Sequence, residues 1–410
     1  MPADVAPCRL DASTEPLLGA CVRVPKLPIE DLDGRAPSFG ILSSFPPTAC
    51  GLATFTAALA SGLAANDADV GVVQVVDDAC GRSPQSDRVV GVLVNGSRHS
   101  LSASSDLLNQ FDVAVIQHEY GLYGGTDGED VLEIIGDLQI PSIVIAHTVL
   151  RNPTPHQRSV LNEVVALADR TVVMTEAARV RLCDGFDVDA SKVTTIAHGA
   201  AVPARRVVPD RTGRPVILTW GLIGPGKGIE RAIEAMRTLH DLPMRPRYLV
   251  AGRTHPKVLA AHGESYRRAR IEQAKRHGIS SSVDFDDDYR DVAALTTLIQ
   301  SSKVVVLPYD SKDQVTSGVL VDAIAAGRPV VATAFPHAVE LLASGAGLVV
   351  DHDDPDAMAR ALQRVLTRPE LAASMAAEAS RLAPSLGWTV VAGEYLHVGQ
   401  DLLSERLALV

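Results

Sequence analysis

From residue 38 almost to the C-terminus, short runs of β-branched and aliphatic residues alternate with helical patterns. "SFGILSS" (38–44), "DVGVVQVV" (69–76), "VAVIQHE" (113–119), "SIVIAH" (142–147), "TVVMT" (171–175) and "KVTTIAHG" (192–199) read as strands. "GLATFTAALASGLAA" (51–65) and "TPHQRSVLNEVVALAD" (154–169) read as helices between them. Continuous apolar strands separated by helices predict a parallel, doubly wound sheet covered on both faces. "AAVPARRVVPDRTGRP" (200–215) breaks the pattern with Pro and Arg and no apolar period, which places a domain linker there. The alternation restarts with "PVILTW" (215–220), "RYLVAG" (247–252), "KVVVLP" (303–308), "PVVAT" (329–333) and "GLVVD" (347–351). Helices are predicted at 228–239, near 263–277 and at 318–326, and Asp354–Pro355 reads as a further helix start. The predicted fold is α/β, with two Rossmann-like domains of similar size and a helical tail.

At 410 residues the chain is too long for one ordinary core and suits two. A net charge of −11 argues against a general binder of nucleic-acid backbone, which needs a basic face. The five cysteines (Cys8, Cys21, Cys50, Cys80, Cys183) are odd in number and lack C-x-x-C spacing. They read as reduced thiols of a cytoplasmic protein. No apolar run reaches the ~18 residues of a membrane span, and the N-terminus lacks a signal-peptide pattern. Residues 1–36 read as a loosely ordered leader, and peripheral contact with a membrane surface stays open.

Ligands of open parallel sheets sit beyond the carboxyl ends of the strands. The residues placed there are Gly51, His118, Glu119, Tyr120, Tyr123, His147, His198, Gly199, Gly221, Lys227, Asp310 and Gln314. "WGLIGPGKGIE" joins a strand to a helix, and Gly221, Gly226 and Lys227 match all of a G-x-x-x-x-G-K phosphate loop except its final Ser or Thr. Gly228 stands there and cannot ligate Mg²⁺. On this loop alone, a diphosphate site and a plain glycine turn stand level. "LPYDSKDQVTSGVLVDAIAAGRPVVAT" (307–333) predicts a second anion site, with Thr316 or Ser317 as N-cap and the amides of Gly318 and Val319 free. Asp322, one turn in, suits a ribose hydroxyl or plain solvent. In "VDFDDDYRD" (283–291), Asp284 and Asp286 form a D-x-D pair that reads as a turn before it reads as a metal site.

"PPTACGLATF", "VIAHT", "TIAHGA", "WGLIGPGKGIERAIEAM" and "LPY…TSGVLVDAIAAGRPVVAT", in this order, resemble the retaining GT-B glycosyltransferases of family 4 over roughly residues 38–400. The resemblance implies an acceptor-binding domain over 37–203 and a nucleotide-sugar-binding domain over 204–385. It also implies a C-terminal helix, 386–410, that crosses back onto the first domain. The implied substrate is a nucleotide-diphosphate sugar, a UDP- or GDP-hexose, with a sugar or other hydroxyl acceptor. Neither a cofactor nor a metal is required, because Lys227, glycine amides and helix termini would stabilise the departing diphosphate. The implied donor residues are Gly51, Gly221, Gly226, Lys227, Ser317, Gly318, Val319 and Asp322. His118, Glu119 and Tyr120 would meet the acceptor, and His147, Lys227 and Gln314 would serve the reaction. Two positions depart from the pattern. Leu222 stands where the family has Arg, and the paired acids E-x7-E map onto Gln314 and Asp322. A one-residue shift would put Asp313 at the first acidic position. A nucleotide-sugar 2-epimerase and a non-catalytic nucleotide-sugar or carbohydrate binder are the alternative readings.

Overall fold

The computed structural model describes residues 36–48, 50–77, 86–205, 213–288, 290–354 and 356–408. The leader, three of the cysteines, the middle of the linker and Pro355 lie outside the described residues. The N-terminal sheet comprises β1 (Phe39–Ser43), β2 (Val70–Val76), β3 (Val89–Val94), β4 (Val113–His118), β5 (Ser142–Ala146), β6 (Arg170–Val173) and β7 (Val193–Thr195). Its order is β3-β2-β1-β4-β5-β6-β7, and all pairings are parallel. The C-terminal sheet comprises β8 (Val216–Trp220), β9 (Arg247–Ala251), β10 (Val283–Asp286), β11 (Val304–Leu307), β12 (Val330–Thr333) and β13 (Gly347–Val350), in the order β10-β9-β8-β11-β12-β13. The two doubly wound domains match the expected fold class.

The apolar runs become strands because helices cover both faces. All seven residues of β2 are buried, and a fully buried Val is worth roughly 1.5–3 kcal/mol over an exposed one. Two strands went unread in the sequence, β3 and β10, both edge strands left partly exposed. β3 reads VVGVLV, as apolar as the recognised strands, whereas β10 carries two aspartates in its four residues. The charged helix expected near 263–277 is Ser265–Arg276, and Gly263, with φ +56°, divides it from a preceding helix, Pro256–His262. The helix start expected at Asp354 comes later, at Ala357, but Asp354 Oδ1 still accepts from the amides of Asp356 and Ala357 at 3.0 Å.

The last helix, Trp388–Leu407, lies on the first domain. Tyr395 and Leu402 join the core formed by β1, β4, β5 and the helix Gly51–Ala64. Gly62 permits this crossing, since a Cβ there would press on the Trp388 carbonyl and the Ala392 methyl. Asn66 Nδ2 adds a hydrogen bond to Thr389 O at 2.9 Å.

Candidate functional site

Both sheets direct their carboxyl ends toward the same cleft, and loops from each reach across it. On the C-terminal side, the β8 loop runs Gly221–Gly228 into the helix Ile229–Leu239. Gly228 has φ +62°, and a Cβ there would overlap the Pro308 carbonyl oxygen. Neither Ser nor Thr fits this position, so packing accounts for the departure from a metal-binding phosphate loop. The loop is further tied by Asp310 N donating to Gly226 O at 3.1 Å. Lys227 is thereby held with its Nζ 4.6 Å from the centre of the Tyr309 ring. No described carboxylate pairs with it, and burial holds its ammonium below the usual lysine range.

Beside Tyr309 starts the helix Gly318–Ala325. Ser317 is its N-cap, accepting from Leu320 N at 3.3 Å, while Ser317 N donates to His337 Nδ1 at 2.8 Å. The expected alternative cap, Thr316, instead has a buried hydroxyl without a partner. Gly318 and Val319 amides take no described protein acceptor, so this helix end retains its partial positive charge. Asp322 receives no hydrogen bond to its carboxylate from any described residue, and burial pushes its pKa up to about 7. Gly327, with φ +69°, ends the helix as expected.

Gln314 lies before this helix with Nε2 turned to Thr316 O at 2.9 Å. Asp313 points elsewhere, with Oδ1 3.5 Å from Arg151 Nη1 of the first domain. The two candidates for the first acidic position therefore have different surroundings. Asp284 and Asp286 also part ways. Asp284 faces Arg247 at 3.4 Å, and Asp286 pairs with Arg290 and caps Asp288 N at 2.9 Å. Both lie on β10 rather than in the expected turn, and each carboxylate is paired with an arginine.

On the N-terminal side, His147 follows β5. Thr56 Oγ1 donates to Leu52 O at 2.8 Å, Gln117 Nε2 donates to Thr56 Oγ1 at 2.7 Å, and His147 Nε2 lies 2.8 Å from Gln117 Oε1. The chain has one consistent direction. Gln117 uses its amide protons on Thr56, so His147 Nε2 must be the donor and Nδ1 carries the lone pair. Burial, followed by His198 and His118, lowers the His147 pKa to about 3. The imidazole is a neutral hydrogen-bond acceptor at Nδ1.

His198 joins this group. Its ring stands edge-on to Phe55 at 5.1 Å, and Phe55 meets His147 at 4.9 Å and Trp388 at 4.9 Å. His198 Nδ1 lies 2.7 Å from Gly199 O, and its Nε2 faces Gly318 across the cleft. Glu119 is held by Thr148 Oγ1 at 2.5 Å and Tyr120 N at 3.1 Å, and burial raises its pKa. Gly51 is exposed, with open space where a Cβ would be. Its helix is capped by Cys50 Sγ, 3.4 Å from Ala53 N, rather than by Gly or Thr.

His118 and Tyr120 correct an expectation. His118 is 1% exposed and Tyr120 8%. They stack edge-on inside the domain at 5.2 Å, and neither imidazole nitrogen nor the phenol has a partner among the described residues. They do not line the cleft. Gln117, Tyr309, His337 and Lys257 went unsingled in the sequence. The first two are buried neighbours of quoted motifs and carried no signal of their own. Lys257 belongs to the helix after β9, and its ammonium occupies the space where a Cβ on Gly121, across the cleft, would come into contact. With Lys227 it depresses the pKa of His255, after burial.

Residues 203–382 match the family model "Glycosyl transferases group 1". The D-inositol 3-phosphate glycosyltransferase of Kineococcus radiotolerans is 29% identical over 276 residues, 60% of this chain and 60% of that one. The chain thus spans less than two thirds of that relative. The same-named protein of Frankia alni is 28% identical over 320 residues, covering 72% and 76%. Among solved structures, Anabaena HepE in complex with UDP and glucose superposes with a TM-score of 0.69 at 16% identity, over 89% of this chain and 99% of that one. Sucrose-phosphate synthase of Thermosynechococcus elongatus gives 0.69 at 18%, over 90% and 100%. The fold is GT-B, and the matches support a glycosyltransferase.

Proposed function

We propose that the cleft binds a nucleotide-diphosphate sugar and that the protein transfers its hexose to a hydroxyl acceptor with the anomeric configuration retained. The observation that carries this reading is Lys227, a half-buried ammonium without a carboxylate partner among the described residues, near a helix end whose Gly318 and Val319 amides have no described acceptor. Two unsatisfied sources of positive charge in one cleft call for an anion, and a diphosphate offers enough oxygens for both. Lys257 brings a second ammonium into this region, since it acts with Lys227 on His255. HepE, similar in fold, is seen with UDP and glucose, which fits the same class of ligand.

Asp322 would accept ribose hydroxyls, and His147 Nδ1 a hydroxyl of the transferred sugar. Gln314 carries no carboxylate and cannot form a glycosyl ester. The acceptor oxygen would attack from the face the diphosphate leaves, with a phosphate oxygen taking its proton. Lys227 and the helix amides would stabilise the charge that develops on the leaving group. No metal is needed in this scheme, because protein groups supply the counter-charge. The reaction would take place in the cytoplasm, where sugar nucleotides are soluble substrates.

The test is release of nucleoside diphosphate from UDP-glucose, GDP-mannose and ADP-glucose in EDTA, with D-inositol 3-phosphate and neutral polyols as acceptors. Acceptor-dependent release and an α-linked product support the reading. A β-linked product removes retention, and no release with any pair counts against transfer.

A further inference from the structure

The segment Asp313–Val315, which bears Gln314, is clasped by both domains. Arg181, on the N-domain helix Glu176–Gly185, donates through Nη1 to Asp313 O at 2.6 Å. The same Nη1 donates to Val149 O at 3.1 Å, two residues beyond His147. Thr175 Oγ1 donates to Val315 O at 2.9 Å, and the Val315 side chain is buried in the N-domain cluster of Val149, Leu161 and Ala178. Between these two carbonyls, that of Gln314 turns the other way and accepts from His337 N at 3.4 Å in its own domain. Alternation of carbonyl direction is the geometry of an extended strand. Here the strand's two edges belong to different domains. Glu340 reinforces the clasp, its two oxygens accepting from Glu176 N at 3.0 Å and Ala177 N at 2.9 Å.

We infer that Arg181 is a positioning residue, setting the register of the Gln314 segment against the His147 segment by bridging Asp313 O and Val149 O. One guanidinium fixes both sides of the cleft to each other. If the domains part, Asp313 O loses Arg181, Val315 O loses Thr175, and Gln314 loses its fixed place, while Val149 O keeps its donor. The diphosphate contacts do not depend on this bridge, since Lys227 and the Gly318 helix are held within the C-terminal domain. The inference that this affects turnover rests on the proposed transfer reaction. The inference that Arg181 fixes the segment does not.

Two measurements on the full chain separate these. Hydrogen exchange of peptides covering 310–317 and 335–338 should quicken at least ~5-fold in Arg181→Ala, with exchange in the β-sheets and the melting temperature unchanged. Arg181→Lys, whose ammonium can still reach a carbonyl, should fall between. With whichever of UDP-glucose, GDP-mannose or ADP-glucose turns over, Arg181→Ala should lower kcat ~10-fold or more and move the donor KM less than 3-fold. Unchanged exchange in those two peptides overturns the positioning role, as does a fall in kcat matched by an equal rise in KM and loss of fold. If no donor turns over, the proposed reaction fails, and the exchange result alone decides the clasp.

Discussion

The Lys227 ammonium lies 4.6 Å from the centre of the Tyr309 ring, and no described carboxylate shares it. A cation–π contact keeps the charge in place at little cost to its availability, whereas a carboxylate would neutralise it. Lys227→Ala should therefore weaken binding of a nucleoside diphosphate by roughly 1.5–3 kcal/mol, about 10- to 150-fold. Titration calorimetry with UDP and GDP on both proteins checks this. Equal affinities would remove Lys227 from the site.

Gly228→Ser would recreate the residue of a metal-binding phosphate loop, yet it should damage the protein. The position has φ +62°, and any Cβ overlaps Pro308 O. The left-handed conformation alone costs about 1–2 kcal/mol, and the overlap adds to it. The variant should melt lower and show no gain of activity with Mg²⁺. A variant as stable as the wild type would contradict the packing account.

His147→Ala should lower turnover by ~10- to 1,000-fold, as loss of one oriented contact does, at a stability cost of no more than about 1–3 kcal/mol for the Gln117 oxygen it leaves unpaired. The hydrogen-bond chain adds a second variant. Gln117→Leu removes the acceptor that fixes His147 Nε2–H, and should reproduce part of the kinetic loss with His147 intact. Full activity in a destabilised His147→Ala would make this residue structural.

The buried histidines predict loss of stability in acid. Burial lowers the pKa of His118 to about 4, of His147 and His337 to about 3, and of His198 to about 4. The unfolded chain binds protons near pH 6.5 and the folded one does not, so stability is full above that pH and falls as pH drops toward 4. Asp322 acts oppositely. Its pKa is raised from 3.8 to about 7, so its contribution is lost as pH rises across that window. Glu119, whose pKa burial also raises, acts as Asp322 does, and the four histidines outweigh these carboxyls to leave acid as the destabilising direction. His118→Leu should flatten the fall, and at pH 7.5 should cost little, because neither ring nitrogen has a partner to lose. Urea midpoints from pH 4.5 to 8 measure both effects. A His118→Leu protein with an unaltered pH slope would refute the assignment.

The architecture was written plainly because strands covered on both faces must be continuously apolar, as in "VGVVQVV" (70–76). The glycine turns and the Gly318 helix were legible because backbone conformation restricts residue type there. What escaped was specified by the partner element. His118 occupies a strand-end position that suits a ligand, but the pleat turns its ring inward, and one sequence cannot tell the two faces apart. Arg181 and Glu340 looked like ordinary surface charges, since their partners across the cleft are amides and carbonyls more than 130 residues away. Backbone acceptors leave no trace in side-chain identity.

The central claim is that protein groups alone hold a sugar-nucleotide diphosphate in the cleft. Calorimetric titration of UDP-glucose, GDP-mannose and ADP-glucose in EDTA tests it most directly, with Lys227→Ala in parallel. The account predicts saturable one-to-one binding of at least one of them in EDTA, weakened ~10-fold or more in the variant. No binding by any of the three, or binding that appears only when Mn²⁺ or Mg²⁺ is restored, would contradict it.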